Sequence, residues 1–418
     1  MAALTYAAPT GPYPVGVRDG EVLDTTHPTL RPQDANGRRL MVRVWYPAQT
    51  DGRTRRPYLV DDEAQSLRWL TEATGAPEEW VDRLTDVRTH GFADAKPAGR
   101  GFPTLVYSHG AVGWVSQNTP LMEHLASHGY VVWSVAHPGE ACGVRYPNGD
   151  TVRYDDVFNE TFLGTVADPH YRDKITGDVA TRFEVTPAFL DDHTVGPWSQ
   201  RWVDDMRAVI DALETGTVAG AAADLAGAGD TARVGVFGMS FGAAAATSTA
   251  QQDPRVKAVV NLDGGQFLSD LLDTDIRVPL LHLATDMRVQ LETMGFPPVT
   301  AIDANEFFFE PLRTAGTRQD VHRLLMTDVT HLELTDLVLI PAHDRAAVLP
   351  GGGKAEPQRT IDLVNAFIRA YFDAVLLGID NRFPQPQMAE FPEVTPIDLA
   401  PVRAWALTHT TPPTHPGT

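Results

Sequence analysis

A serine, a histidine and a carboxylate in one hydrogen-bonded line convert an unreactive hydroxyl into a nucleophile for acyl transfer. This chain carries candidates for all three. The serine is Ser240, in Arg233-Val-Gly-Val-Phe-Gly-Met-Ser-Phe-Gly242 followed by Ala243-Ala-Ala-Ala-Thr-Ser-Thr-Ala250. Val234, Val236 and Phe237 read as a buried strand and the alanine run as a helix, so Gly238-x-Ser240-x-Gly242 falls on a strand–turn–helix bend. A bare G-x-S-x-G is an ordinary turn; these flanks make it a nucleophile elbow that lifts the hydroxyl clear of the sheet. In that setting the acid and then the histidine follow the serine in the chain. His331, in Thr327-Asp-Val-Thr-His-Leu-Glu-Leu-Thr335, follows the apolar run Val321–Met326 and lies at the edge where parallel sheets build their sites. His322 sits inside that run, His343 lies in a later loop, and His282 reads as a core histidine. Two aspartates end consecutive apolar runs, Asp263 and Asp286, and either can serve as the acid. Each also fits a bland role capping the next turn. Gly264 and Gly265 free the backbone beside Asp263 and tilt the choice slightly towards it.

The oxyanion formed in acyl transfer needs two donors, each worth about 2.7–4 kcal/mol in the transition state. The backbone N–H of Phe241 is one. The loop Tyr107-Ser-His-Gly-Ala-Val-Gly113 supplies the second, the N–H of Ala111, with Gly110 permitting the turn and His109 bracing the loop by hydrogen bonds.

The elements that must position these groups follow from periodicity. Gly37–Pro47 alternates Leu40, Val42 and Val44 against Met41, Arg43 and Trp45, as an antiparallel strand with two faces does. The runs 104–108, 130–135, 233–237, 256–262, 278–284 and 321–326 are low in charge and separated by helix-length segments. That alternation predicts an α/β fold, a mostly parallel central sheet with helices on both faces. Residues 201–214 place Val203, Met206, Ile210 and Leu213 on one helical face, and 360–377 form the last strong helix, stopped by Gly378. We read residues 1–418 as a single domain with three insertions: a helical one at about 51–100, a lid or cap candidate at 146–200 and a substrate-wall candidate at 287–320. The lid candidate carries Tyr154, Phe158, Phe162, Tyr171, Phe183, Phe189 and Trp198. The third carries Met294, Phe296, Pro297, Pro298 and Phe307-Phe-Phe309. Residue by residue these aromatics are packing; as a group they fit an apolar acyl or alcohol pocket. A proline-rich tail, 384–418, is expected to wrap the surface or to be partly mobile.

Composition narrows the partners. A formal net charge of −20 argues against nucleic acid and anionic membrane surfaces, since phosphate binding needs clustered Lys and Arg. Cys142 is the lone cysteine, which excludes an intrachain disulfide and a multi-thiolate metal site. No stretch has the length of a membrane span and the N-terminus lacks a signal-like pattern, so a soluble, cytoplasmic protein is expected, or a secreted one if a leader has been removed. Gly351-Gly-Gly-Lys354 lacks the spacing of a phosphate loop and reads as surface.

Taken in order, several segments resemble the platelet-activating factor acetylhydrolase-like (dienelactone hydrolase-related) branch of the α/β-hydrolase superfamily. They are Gly11-Pro-Tyr-Pro-Val-Gly16 with Val44-Trp-Tyr-Pro47, Pro103-Thr-Leu-Val-Tyr-Ser-His-Gly110, His124-Leu-Ala-Ser-His-Gly-Tyr-Val-Val132, Gly238-Met-Ser-Phe-Gly242 and Ala258-Val-Val-Asn-Leu-Asp263. The resemblance implies the α/β-hydrolase fold and a serine carboxylic-ester hydrolase acting through an acyl-enzyme on a small-molecule ester with a short or compact acyl group. It implies no metal or organic cofactor. It maps the acid onto Asp263 rather than Asp286, the base onto His331 and the oxyanion donors onto Ala111 and Phe241. The chain departs from the pattern at Met239, where this branch usually has His, and at Gly242-Ala243 in place of Gly-Gly. An acyltransferase or amidase using the same triad, or a non-catalytic hydrolase-like binding protein, are the alternatives.

Overall fold

A computed structural model describes residues 4–50, 52–60, 62–74, 78–192, 194–293, 297–341, 345 and 355–409. The main strands are β1 (Val15–Asp24), β2 (Arg38–Gln49), β3 (Phe102–Ser108), β4 (Val131–Ala136), β5 (Gly229–Met239), β6 (Val256–Leu262), β7 (Leu280–Thr285), β8 (Val321–Met326) and β9 (Val394–Pro396). In the sheet they run β9-β8-β7-β6-β5-β3-β4-β2-β1. From β4 across to β8 all pairings are parallel, while β1 with β2, β2 with β4 and β8 with β9 are antiparallel. The protein therefore has the α/β-hydrolase fold. After β3 the chain moves to β4 on one side, and it returns to β5 on the other. The ends of β3 and β5 thus flank the point where strand order reverses, the crevice such sheets use for ligands.

Alternation along each strand divides the core in two. Val106, Val234, Val236 and Val259 face the helices Gly196–Thr215 and Phe241–Gln252, packing on Trp202, Met206, Ala245 and Ala246. Leu105, Tyr107, Phe237 and Val260 face the helices Thr119–Ser127 and Pro357–Leu377, packing on Met122, Leu125, Phe367 and Phe372. Both faces are covered, which is why the central strands read as unbroken apolar runs. Gly378, at φ 66°, closes the last long helix with the left-handed residue such ends favour.

Residues 146–200 fold into the helices Asp156–Ala167, Pro169–Thr176 and Val179–Asp192 and the start of Gly196–Thr215. In the third insertion Phe307, Phe308 and Phe309 are all buried against the body, whereas Met294 and Phe296 lie outside the described residues. His343 and Gly351–Lys354 also lie outside them. Within the proline-rich tail, β9 pairs with β8 through Met326, Leu325 and Leu324, and the helix Ala400–Thr408 follows; residues 410–418 lie outside the described residues. The shortness of β9 and its proline hide it from periodicity, and pairing at the sheet edge decides it. No helix among the described residues is long and apolar enough to cross a membrane.

Candidate active site

The elbow is set by crowding. Ser240 adopts φ 57° and ψ −124°, a conformation that non-glycine residues avoid and that surrounding structure must impose. A Cβ at Gly238 would overlap the Gly242 carbonyl, and one at Gly242 would overlap the carbonyls of Ser108 and His109. Glycine at both positions lets helix, elbow and β3 converge. Ser240 N–H donates to Leu262 O at 2.9 Å, tying the bend to the end of β6.

His331 opens a short turn, His331–Leu334, immediately after β8. A capping box between Thr330 and Glu333 holds that turn, and Arg345 donates to Glu333 at 2.8 Å from behind. The imidazole Nε2 lies 2.9 Å from Ser240 Oγ, and Nδ1 lies 2.6 Å from Asp263 Oδ2. Asp263 follows β6 at φ 52°. Its carboxylate also accepts from Thr285 N–H at 2.8 Å and Thr285 Oγ–H at 2.5 Å, so the end of β7 aims it. With the carboxylate ionised, Nδ1 carries the proton and donates to Asp263, leaving Nε2 to accept from Ser240. Thr285 is a positioning group for which the sequence offers no motif; only the sheet brings it to Asp263.

The alternative acid, Asp286, is not brought to this line. Its carboxylate receives Arg288 N–H at 3.2 Å and the Arg288 guanidinium at 3.0 and 3.1 Å, the helix-start role open to any strand-end aspartate. His282 is buried, 3.2 Å from Asn261 Oδ1, and His322 packs edge-on to Phe383.

The loop after β3 presses on the elbow: a Cβ at Gly110 would sit 3.2 Å from Ser240 Cβ. Gly110 N–H donates to Gln117 Oε1 at 3.2 Å and Val112 N–H to Glu140 O at 2.9 Å. The Ala111 N–H between them has no protein acceptor among the described residues. Phe241 begins its helix, where first-turn amides have no carbonyl to reach. His109 is fully buried, with Nδ1–H donating to Gly110 O at 2.7 Å; burial, and then His137, push it down to about 3, so it stays neutral. Phe158, Phe162, Phe267 and Trp202 surround the Phe241 ring at centroid distances of 5.9, 5.8, 5.1 and 4.8 Å, so the helix Asp156–Ala167 leans on the elbow. Among the described residues no group of three or more His, Cys, Asp or Glu is arranged to hold a metal ion.

Comparison with known proteins bears on what this arrangement does. A family model described as platelet-activating factor acetylhydrolase, isoform II, matches residues 3–155, a span that holds the Ala111 loop and stops before Ser240. The chain is 22% identical over 354 residues to platelet-activating factor acetylhydrolase of Cavia porcellus, covering 82% of this chain and 74% of that one. It is 26% identical over 354 residues to a probable 1-alkyl-2-acetylglycerophosphocholine esterase of Arthroderma benhamiae, covering 79% and 76%. Among solved structures, a ferulic acid esterase from Streptomyces cinnamoneus superposes with a TM-score of 0.66 at 25% identity, over 95% of this chain and all of that one.

Proposed function

We propose that this chain is a platelet-activating factor acetylhydrolase-like α/β-hydrolase, an ester hydrolase, with Ser240, His331 and Asp263 as its catalytic triad. Ser240 Oγ attacks the ester carbonyl as His331 Nε2 takes its proton. The N–H groups of Ala111 and Phe241 receive the oxyanion. The tetrahedral intermediate collapses as His331 returns the proton to the departing alcohol, leaving an acyl-enzyme. Water then gives a proton to His331 and attacks the acyl carbon, and Ser240 leaves with that proton as the acid is released. Asp263 keeps Nδ1 protonated and stabilises the imidazolium formed at each attack. The observation that carries this reading is the unbroken run from Ser240 Oγ through both imidazole nitrogens to Asp263 at 2.9 and 2.6 Å.

The substrate in this reading is an ester with a short or compact acyl group, a reading supported by the likeness to platelet-activating factor acetylhydrolase and to a probable 1-alkyl-2-acetylglycerophosphocholine esterase. A second reading, an ester with an aromatic acid, draws on the ferulic acid esterase likeness and the partly exposed rings of Phe162, Tyr171 and Trp198. Turnover of p-nitrophenyl acetate, butyrate and methyl ferulate by the wild type and Ser240→Ala separates them. Loss of all hydrolysis in folded Ser240→Ala is expected. Unchanged hydrolysis in that variant sinks the triad, and preference for ferulate over acetate favours the second reading.

A further inference from the structure

Beneath the site lies a second Ser–His–Asp run that touches no solvent. Ser108 Oγ is 2.8 Å from His137 Nε2, and His137 Nδ1 is 2.8 Å from Asp205 Oδ2, with both His137 and Asp205 side chains 0% exposed. Arg38 holds Asp205 through Nε and Nη2 at 2.8 and 2.9 Å and reaches Glu140 at 2.5 Å, with Arg201 3.4 Å from Asp205 on its own helix. Burial opposes the Asp205 charge, but Arg38 outweighs it and holds the carboxyl below the usual range; burial keeps His137 neutral. Nδ1–H therefore donates to Asp205, and Nε2 accepts from Ser108 O–H. No substrate can reach this hydroxyl, so the run is not a second hydrolytic site.

Its connections give it a use. Ser108 and His109 lead directly into Gly110-Ala111. His137 grips both, Ser108 through its ring and His109 through its backbone N–H, which donates to His109 Nε2 at 3.3 Å. The His137–Glu140 turn holds the far side of Ala111, since Glu140 O accepts from Val112 N–H at 2.9 Å. Trp202 stacks on the His137 ring at 3.8 Å and 7°, and meets the ring of Phe241 edge-on at 4.8 Å and 85°. One imidazole thus supports the residues on either side of the oxyanion.

We infer that His137, fixed between Asp205 and Ser108, is a positioning residue that sets the Ala111 and Phe241 amides relative to one another. The inference rests on the triad reading above. Displacing a group that acts on the transition state by a fraction of an ångström lowers kcat and spares ground-state binding. In the full chain, Ser108→Ala removes one oxygen and no charge. It is expected to lower kcat for p-nitrophenyl acetate by about 10- to 100-fold with KM unchanged within about twofold and a similar melting temperature. Ser108→Thr, which keeps the hydroxyl, is expected to restore most of kcat. Should Ser108→Ala fail to fold, Trp202→Phe takes its place, with the same kcat-only loss expected. Wild-type kcat in the folded variant, a loss confined to KM, or a kcat loss that Ser108→Thr does not repair overturns the inference. Absence of Ser240-dependent turnover in the wild type instead overturns the triad reading, which keeps the two failures distinct.

Discussion

Replacing Asp263 by asparagine exchanges one carboxylate oxygen for an NH2 group at nearly constant volume, and the bonds around it determine the outcome. Oδ1 accepts from Thr285 N–H at 2.8 Å; Oδ2 faces His331 Nδ1 at 2.6 Å and Thr285 Oγ at 2.5 Å. If the amide keeps its oxygen on Thr285 N–H, its NH2 confronts Nδ1. The imidazole must then move its proton to Nε2, where it cannot take the Ser240 proton. If the amide flips, its oxygen serves His331 but its NH2 meets the Thr285 N–H, leaving a donor unsatisfied at about 1–3 kcal/mol. In either orientation the imidazolium formed during attack loses its counter-charge, worth about 4 kcal/mol near 4 Å at an effective dielectric constant of about 20. The competent form is therefore disfavoured by about 5–7 kcal/mol, a loss in kcat of about 10⁴-fold or somewhat more. Saturation kinetics with p-nitrophenyl acetate, alongside thermal melting to show an intact fold, measure it. Asp286→Asn, whose side chain is hydrogen-bonded to Arg288 among the described residues, should stay within about twofold of wild type. Retention of more than about a hundredth of wild-type kcat in folded Asp263→Asn, or a greater loss in Asp286→Asn, would refute the reasoning.

Two further outcomes concern stability. Arg182 makes a bidentate pair with Glu306 at 2.5 and 2.8 Å, both side chains buried, joining the helix Val179–Asp192 to the segment before β8. Arg182→Met should cost about 3–5 kcal/mol in urea unfolding by stranding the carboxylate, and adding Glu306→Gln should recover part of it; an additive double loss speaks against the pair. His124 is pushed down to about 3 by burial, then by His128 and Arg369, against about 6.5 when unfolded. Its contribution to stability is present above pH 6.5 and lost as pH falls from there towards 3, at up to about 1.36 kcal/mol per pH unit. Urea midpoints across that window should decline less steeply in His124→Gln, and an identical slope would show that His124 takes up no proton on unfolding.

What is legible in the sequence is local. The bend at Ser240 announces itself because glycines, strand and helix lie within a dozen residues, and His331 because it follows an apolar run in the right chain order. The parallel centre is readable for the same reason, as covered strands leave unbroken apolar runs. The choice between Asp263 and Asp286 is not decided by the residues themselves. Both end strands, and the difference lies in the turn at Asp263 and in Thr285, which belongs to the neighbouring strand. His137 carries no motif, since its partners stand 29 residues before it and 68 after it. β9 escapes a reading of the sequence because three residues beside prolines have no period; only the free edge of β8 makes a strand of them.

That edge also governs how the polypeptide is made. Every residue of the proposed machinery has been synthesised by position 331, yet the outer hydrogen-bonding row of β8 waits until residues 394–396 arrive. During translation of that interval a nascent chain bears an unpaired, apolar ribbon, the feature through which neighbouring chains self-associate. Ribosomal pausing or premature termination between those points would yield a product that carries the proposed triad residues but leaves this edge bare and prone to aggregate.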